Sequence, residues 1–90
     1  MKKCVITVVG KDKVGIIAGV CNYLADTNIN ILDINQTIVD GFFNMVTIVD
    51  VSNSTKQIAE ISDELTVLGE KIGVIIHLQR AEIFEKMHRL

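Results

Sequence analysis

Apolar positions along the chain recur first at every second residue and then at helical spacing, and the two rhythms alternate to the end. Residues 3–9, KCVITVV, are rich in β-branched side chains and predict a strand. Between residues 14 and 26 the period lengthens, placing Ile17, Val20, Cys21 and Leu24 on one stripe of an amphipathic helix. Asp12 is positioned to cap that helix through its carboxylate, and Asn28 to close it in the left-handed conformation. Two long β-type runs follow, 29–39 and 42–51, joined by Asp40-Gly41, a pair that a type I′ hairpin turn favours. In the first run Leu32, Ile34 and Ile38 share one face and Asp33, Asn35 and Thr37 the other, with a bulge expected at Gln36. In the second, Phe43, Met45, Val49 and Val51 oppose Asn44 and Asp50. Ser54-Thr55-Lys56-Gln57 has capping-box spacing, and Ile58, Ile61, Leu65 and Leu68 make a second helical stripe that Gly69 is expected to stop. Residues 73–79, GVIIHLQ, read as a fourth strand, and the tail over about 81–89 as a short helix with Ile83, Phe84 and Met87 on one side.

Strand, helix, strand, strand, helix, strand is the order of a split β-α-β unit. Right-handed crossovers then put both helices on one face of an antiparallel four-stranded sheet, the ferredoxin-like α+β fold, followed here by a short C-terminal helix. The chain has no proline, and no linker or low-complexity tract interrupts it, so residues 1–90 are expected to form one domain. Strand one is apolar at both parities, since Val5 and Val9 accompany Cys4, Ile6 and Val8. With helices on one side only, such a sheet leaves apolar surface for a partner, and a homodimer is expected. The alternative is that the tail helix folds back over this face.

Charge excludes more than it suggests. Nine Lys and Arg against 11 Asp and Glu give a net charge of −2, which offers no footprint for nucleic acid or an anionic membrane. The opening MKKCVITVVG stops at Gly10-Lys11-Asp12-Lys13 with no cleavage site behind it, and no run approaches the ~20 apolar residues of a bilayer span. A cytoplasmic protein without membrane partners is expected. Cys4 and Cys21 then read as reduced, apolar thiols rather than a disulfide or metal pair.

The candidate chemistry lies in TVVGKDKVGIIAGV. Gly10 and Gly15 have the outer spacing of a phosphate loop, but Ile16-Ile17 stand where that loop needs Lys and Ser or Thr. An acylphosphatase-like cradle lacks its arginine, because the arginines are Arg80 and Arg89, and strand one lacks the aromatics of an RNA-recognition sheet. What remains is an amide-rich helix head that attracts a carboxylate, with Asp12 to meet an ammonium and Asn30 to offer both donor and acceptor. Close together, these would suit an amino-acid zwitterion. The plainer reading is that Asp12 caps, the glycines turn a corner and Asn30 satisfies backbone. His77 is expected on the open side of the sheet, and His88-Arg89 in the last helical turn. Neither histidine has metal-ligand spacing, and Glu60, Asp63, Glu64 and Glu70 read as a solvated face. No nucleophile, acid–base pair or cofactor motif marks an enzyme.

VVGKDKVGIIAGV, then NINILDINQT and FFNMVTIVDV, resemble the ACT domain, and with the ending RAEIFEKMHRL the chain resembles small stand-alone ACT-domain proteins throughout its length. It is also similar to glycine-cleavage regulators, which usually carry two domains in one chain. The resemblance implies a regulatory module that binds an amino acid or related effector at an interface between paired domains and acts on a target protein. Carried over residue by residue, it implies ligand contacts at Gly10, Asp12, Gly15 and Asn30, with backbone amides of Lys13, Val14 and Ile16. The chain departs from the pattern at Val14, where ACT turns often have proline, and at Gly10, which supplies no polar side chain. The effector is therefore left open. A protein-interaction adaptor without a small-molecule ligand is the competing expectation.

Overall fold

A computed structural model describes residues 1–82. The expected C-terminal helix lies outside these residues except for Ala81 and Glu82, which are helical. The elements are β1 (Lys3–Lys11), α1 (Ile16–Asp26), β2 (Asn30–Val39), β3 (Phe42–Asp50), α2 (Ile58–Ile72) and β4 (Val74–Arg80). They form one antiparallel sheet in the order β2-β3-β1-β4. Alternation decides which face is covered. Cys4, Ile6 and Val8 of β1, Phe43, Met45 and Val49 of β3, and Val74 and Ile76 of β4 are buried under the helices. This is the expected ferredoxin-like arrangement. α2 packs along β4, and α1 touches α2 and β2.

The hairpin is as expected, with Asp40 at φ 52° and Gly41 at φ 77°, and Asn28 closes α1 at φ 59°. Four details differ. The stripe of α1 is Ile16, Val20 and Leu24, with Ile17 exposed, because the helix begins two residues later than its apolar pattern does. Ser54 is not the cap of α2: its hydroxyl accepts from Lys56 N–H at 2.9 Å within the loop, and Gln57 takes the cap position, its N–H donating to Glu60 at 3.3 Å. Gly69 does not stop α2. It is buried mid-helix, where a Cβ would lie 2.6 Å from the Val74 carbonyl oxygen, and Gly73 at φ 77° ends the helix instead. The bulge falls at Leu32, between the pairs Ile31–Val49 and Asp33–Ile48, and Gln36 keeps the alternation opposite Met45. At that irregularity the buried Thr47 hydroxyl donates to the Asp33 carbonyl at 2.8 Å.

One polar group ties the helices together. Tyr23 donates to Glu64 at 2.7 Å, and Lys56 pairs with the other Glu64 oxygen. Burial first, then the bond and charge of Glu64, push the Tyr23 phenol from 10.0 up to about 12, while Lys56 and Tyr23 hold Glu64 below the usual carboxylate range. Because the folded-state pKa is raised, the stability this bond contributes is full below pH 10 and is lost as pH rises through about 12. Tyr23 is the single tyrosine, so phenolate absorbance follows it directly. A midpoint near 12 is expected, and one near 10 would contradict the bond.

Candidate functional site

The β1–α1 turn is built by its glycines. Gly15 takes the N-cap position of α1 at φ 96°, a region that L side chains rarely adopt, and a Cβ there would meet nothing within 4 Å. Asp12 is therefore not the cap. Its backbone N–H instead donates to Gly41 at 2.8 Å, which moors the turn to the β2–β3 hairpin. No side chain caps α1 and its first turn carries no acid, whereas α2 has Glu60 at its head. The positive end of α1 is thus left uncompensated by the described residues around it.

The turn is open. Lys11 to Gly15 are all exposed, and Val14 is fully so, while Ile16 turns inward and anchors the helix at 2% exposure. Gly10 stays within the sheet, paired with Phe43 and Val74, where a Cβ would strike Val74. Lys13 reaches the adjoining start of β4, its ammonium beside Gly73 at the carbonyl end of α2.

Asn30 is elsewhere. It pairs with Asp50 at the end of the sheet opposite the hairpin, beside a shallow hollow of about 190 Å³ shared with Asn28 and Asn53. β3 runs its nine residues between the two ends, which separates Asn30 from the Asp12 turn by about 27 Å. Within one chain the expected zwitterion pair is therefore not assembled: α1 carries the backbone from one end of the sheet to the other. Two clefts of about 530 and 710 Å³ also lie at the Asn30 end, between the start of β1 and the loop before α2. They are lined by Lys2, Ile58 and Arg80 among others, and none of them includes the turn.

His77 lies on the open sheet face, as its parity predicted, opposite Thr7. Among the described residues no group of His, Cys, Asp or Glu could hold a metal ion, and no helix is long and apolar enough to cross a membrane. Cys4 is buried, and that burial raises its thiol pKa against the opposing pull of Arg80. Missed by sequence reasoning was the edge: all ten residues of β2 are exposed, including Ile31, Leu32, Ile34, Ile38 and Val39. A strand alternating apolar and polar residues signals one covered face, and nothing local says that α1 touches β2 too little to cover it.

The comparisons agree with this architecture. The family model for the ACT domain matches residues 2–79. A UPF0237 protein of Bifidobacterium longum is 57% identical over 90 residues, the whole of both chains. The solved structure of an ACT domain protein from Streptococcus pneumoniae has a TM-score of 0.82 at 42% identity, over 93% of this chain and 94% of that one. A putative glycine cleavage system transcriptional repressor has a TM-score of 0.75 at 26% identity, over 89% of this chain and 46% of that one. By family model, by relatives of equal length and by fold, the chain belongs to the ACT-domain family.

Proposed function

We propose that this chain is a regulatory module that binds an amino acid where two copies meet along their β2 strands. ACT domains are typically ligand-binding regulatory units, and the solved relative described as a glycine cleavage repressor is a regulator by its description. The observation that carries the reading is the separation of the turn from Asn30 across a sheet whose β2 edge is bare. Antiparallel pairing of two β2 strands about a two-fold axis reverses one copy end for end. It brings Asn30 of one protomer to the hairpin end of the other, where Asp12 is moored to Gly41. The bulge at Leu32 leaves Asp33 to Val39 as the regular stretch for that pairing.

In such a seat the first amides of α1 receive the ligand carboxylate, Gly15 allows close approach, and Asp12 meets the ammonium. Asn30 of the second copy offers a donor and an acceptor. Gly10, Lys13, Val14 and Ile16 shape the turn and present backbone rather than side-chain chemistry. An effector held by both copies favours the joined state by its extra affinity for it, which is the physical content of regulation here.

A thermal-shift series with the twenty amino acids tests the reading. At one hundred times its dissociation constant, a ligand adds about 2.7 kcal/mol of stability. At least one amino acid is expected to raise Tm saturably, and both Asp12→Ala and Asn30→Ala are expected to abolish that rise. No response to any of the twenty would contradict amino-acid sensing.

A further inference from the structure

Past the core, the helix-facing sets of two strands run out into cations. Those sets are Cys4, Ile6 and Val8 in β1, and Val74, Ile76 and Leu78 in β4. One step further along each alternation stand Lys2 and Arg80, both exposed. An apolar residue at either position would extend the packing beneath the head of α2. A long cation keeps its charge in water instead, and leaves a recess lined by charge. Lys2, Arg80 and Ile58, the first residue of α2, line both of the clefts at this end, so the two clefts meet there. Among the described residues the ion pair is that of Lys56 with Glu64, which leaves the side chains of Lys2, Lys3 and Arg80 unpaired. The nearby acids offset them only in part. Glu60 accepts from the Gln57 N–H at 3.3 Å, and Asp50, opposite Lys3, accepts from the Ser52 N–H at 3.0 Å. Glu82 lines the first cleft and answers one of its cations.

We infer that this double cleft binds a phosphate monoester of a small hydroxylated molecule. A phosphate ester carries close to two negative charges and several acceptor oxygens. The first cleft, about 530 Å³, answers that charge: the Arg80 guanidinium presents a planar fork to two of the oxygens, and Lys2 and Lys3 add point charges. The second cleft, about 710 Å³, is lined by Ser52, Thr55 and Gln57, donors and acceptors suited to the hydroxyls of the ester's body. Each volume falls within the ~300–1,000 Å³ of small-molecule sites. A lone carboxylate would satisfy one cation and leave the others facing each other. An acidic protein segment is met by cations spread along a surface, whereas these converge on one recess. The cleft lies on the β1–β4 side of the sheet, two strands from Asn30 of β2 and at the opposite end from the Asp12 turn. It is therefore separate from the amino-acid seat.

Calorimetry and thermal shift of the whole chain with glycerol phosphate test this, at constant ionic strength so that screening cannot imitate binding. Saturable binding is expected, weakened about tenfold or more in both Arg80→Gln and Lys2→Gln. Arg80→Lys, which keeps the charge and loses the fork, is expected to fall between the parent and Arg80→Gln. Lys11→Gln removes an exposed cation at the hairpin end and is expected to bind as the parent does. All three positions are exposed, so far-UV circular dichroism is expected to stay unchanged. Inorganic phosphate is expected to bind more weakly than the ester, and equal affinity would overturn a role for the second cleft and with it the ester. No binding of glycerol phosphate at millimolar concentration overturns the proposal, as does an equal loss in Lys11→Gln, which would reduce it to net charge. Binding of a glutamate-rich peptide without binding of the ester would assign the cleft to an acidic protein segment and overturn it too.

Discussion

Gly69→Ala is expected to lower Tm by about 10–20 °C, although alanine is the better helix former by about 1 kcal/mol. The added methyl would lie 2.6 Å from the Val74 carbonyl oxygen and 3.2 Å from an Ile76 side-chain carbon. The first of these is backbone, so no rotamer change relieves it. α2 must lift from β4, and it carries Ile61 and Leu65, both fully buried, with it. Overpacking of this kind costs about 1–3 kcal/mol, and a clash with fixed backbone belongs at the upper end. Thermal unfolding followed by circular dichroism reads it. An unchanged or raised Tm would show that α2 does not sit as close to β4 as the described contact requires.

Leu65→Ala is expected to cost about 2–5 kcal/mol, because it removes a side chain with no exposure from a core that cannot close around the gap. A chain of this length has roughly 5–13 kcal/mol of total stability, so this one truncation removes a large share. Val67, two residues along the same helix, is 51% exposed and makes the control. Val67→Ala is expected to stay within about 0.5 kcal/mol of the parent. Chemical denaturation of the three proteins gives the comparison, and equal losses at positions 65 and 67 would contradict the assigned stripe.

Those stripes were legible in the residues, and the reason is periodicity. β3 and β4 bury one alternate set as the pattern predicts, β1 buries Cys4, Ile6 and Val8 together with Val5 of the other set, α2 buries Ile61 and Leu65, and Asp40-Gly41 turns where its chemistry demands. What was not legible depends on distance rather than pattern. Leu32 is apolar like Ile31 before it, so alternation could not identify it as the extra residue, and Gln36 drew suspicion only by being polar. An aspartate ahead of an apolar helix normally caps it, but Gly15 in the left-handed region starts α1 three residues after Asp12. Gly69 and Gly73 look alike in sequence; only the approach of Val74 separates a close contact from a stop. The candidate site was legible as residues but not as a place. Asn30 follows closely on α1 in sequence, yet the helix runs its 11 residues, about 16 Å, to the other end of the sheet.

That misplacement is what makes a two-chain seat testable by complementation. Asp12→Ala and Asn30→Ala each spoil both seats of their own homodimer. When the two variants are unfolded together and refolded as a mixture, half of the pairs join one of each. In these pairs one seat combines the intact turn of the Asn30→Ala chain with the intact Asn30 of the Asp12→Ala chain. The account predicts that neither variant alone binds the amino acid that stabilises the parent, while the mixture regains about one quarter of the parent's sites by calorimetry, with unchanged affinity. A mixture as silent as its components would place the turn and Asn30 in no common seat and contradict the account.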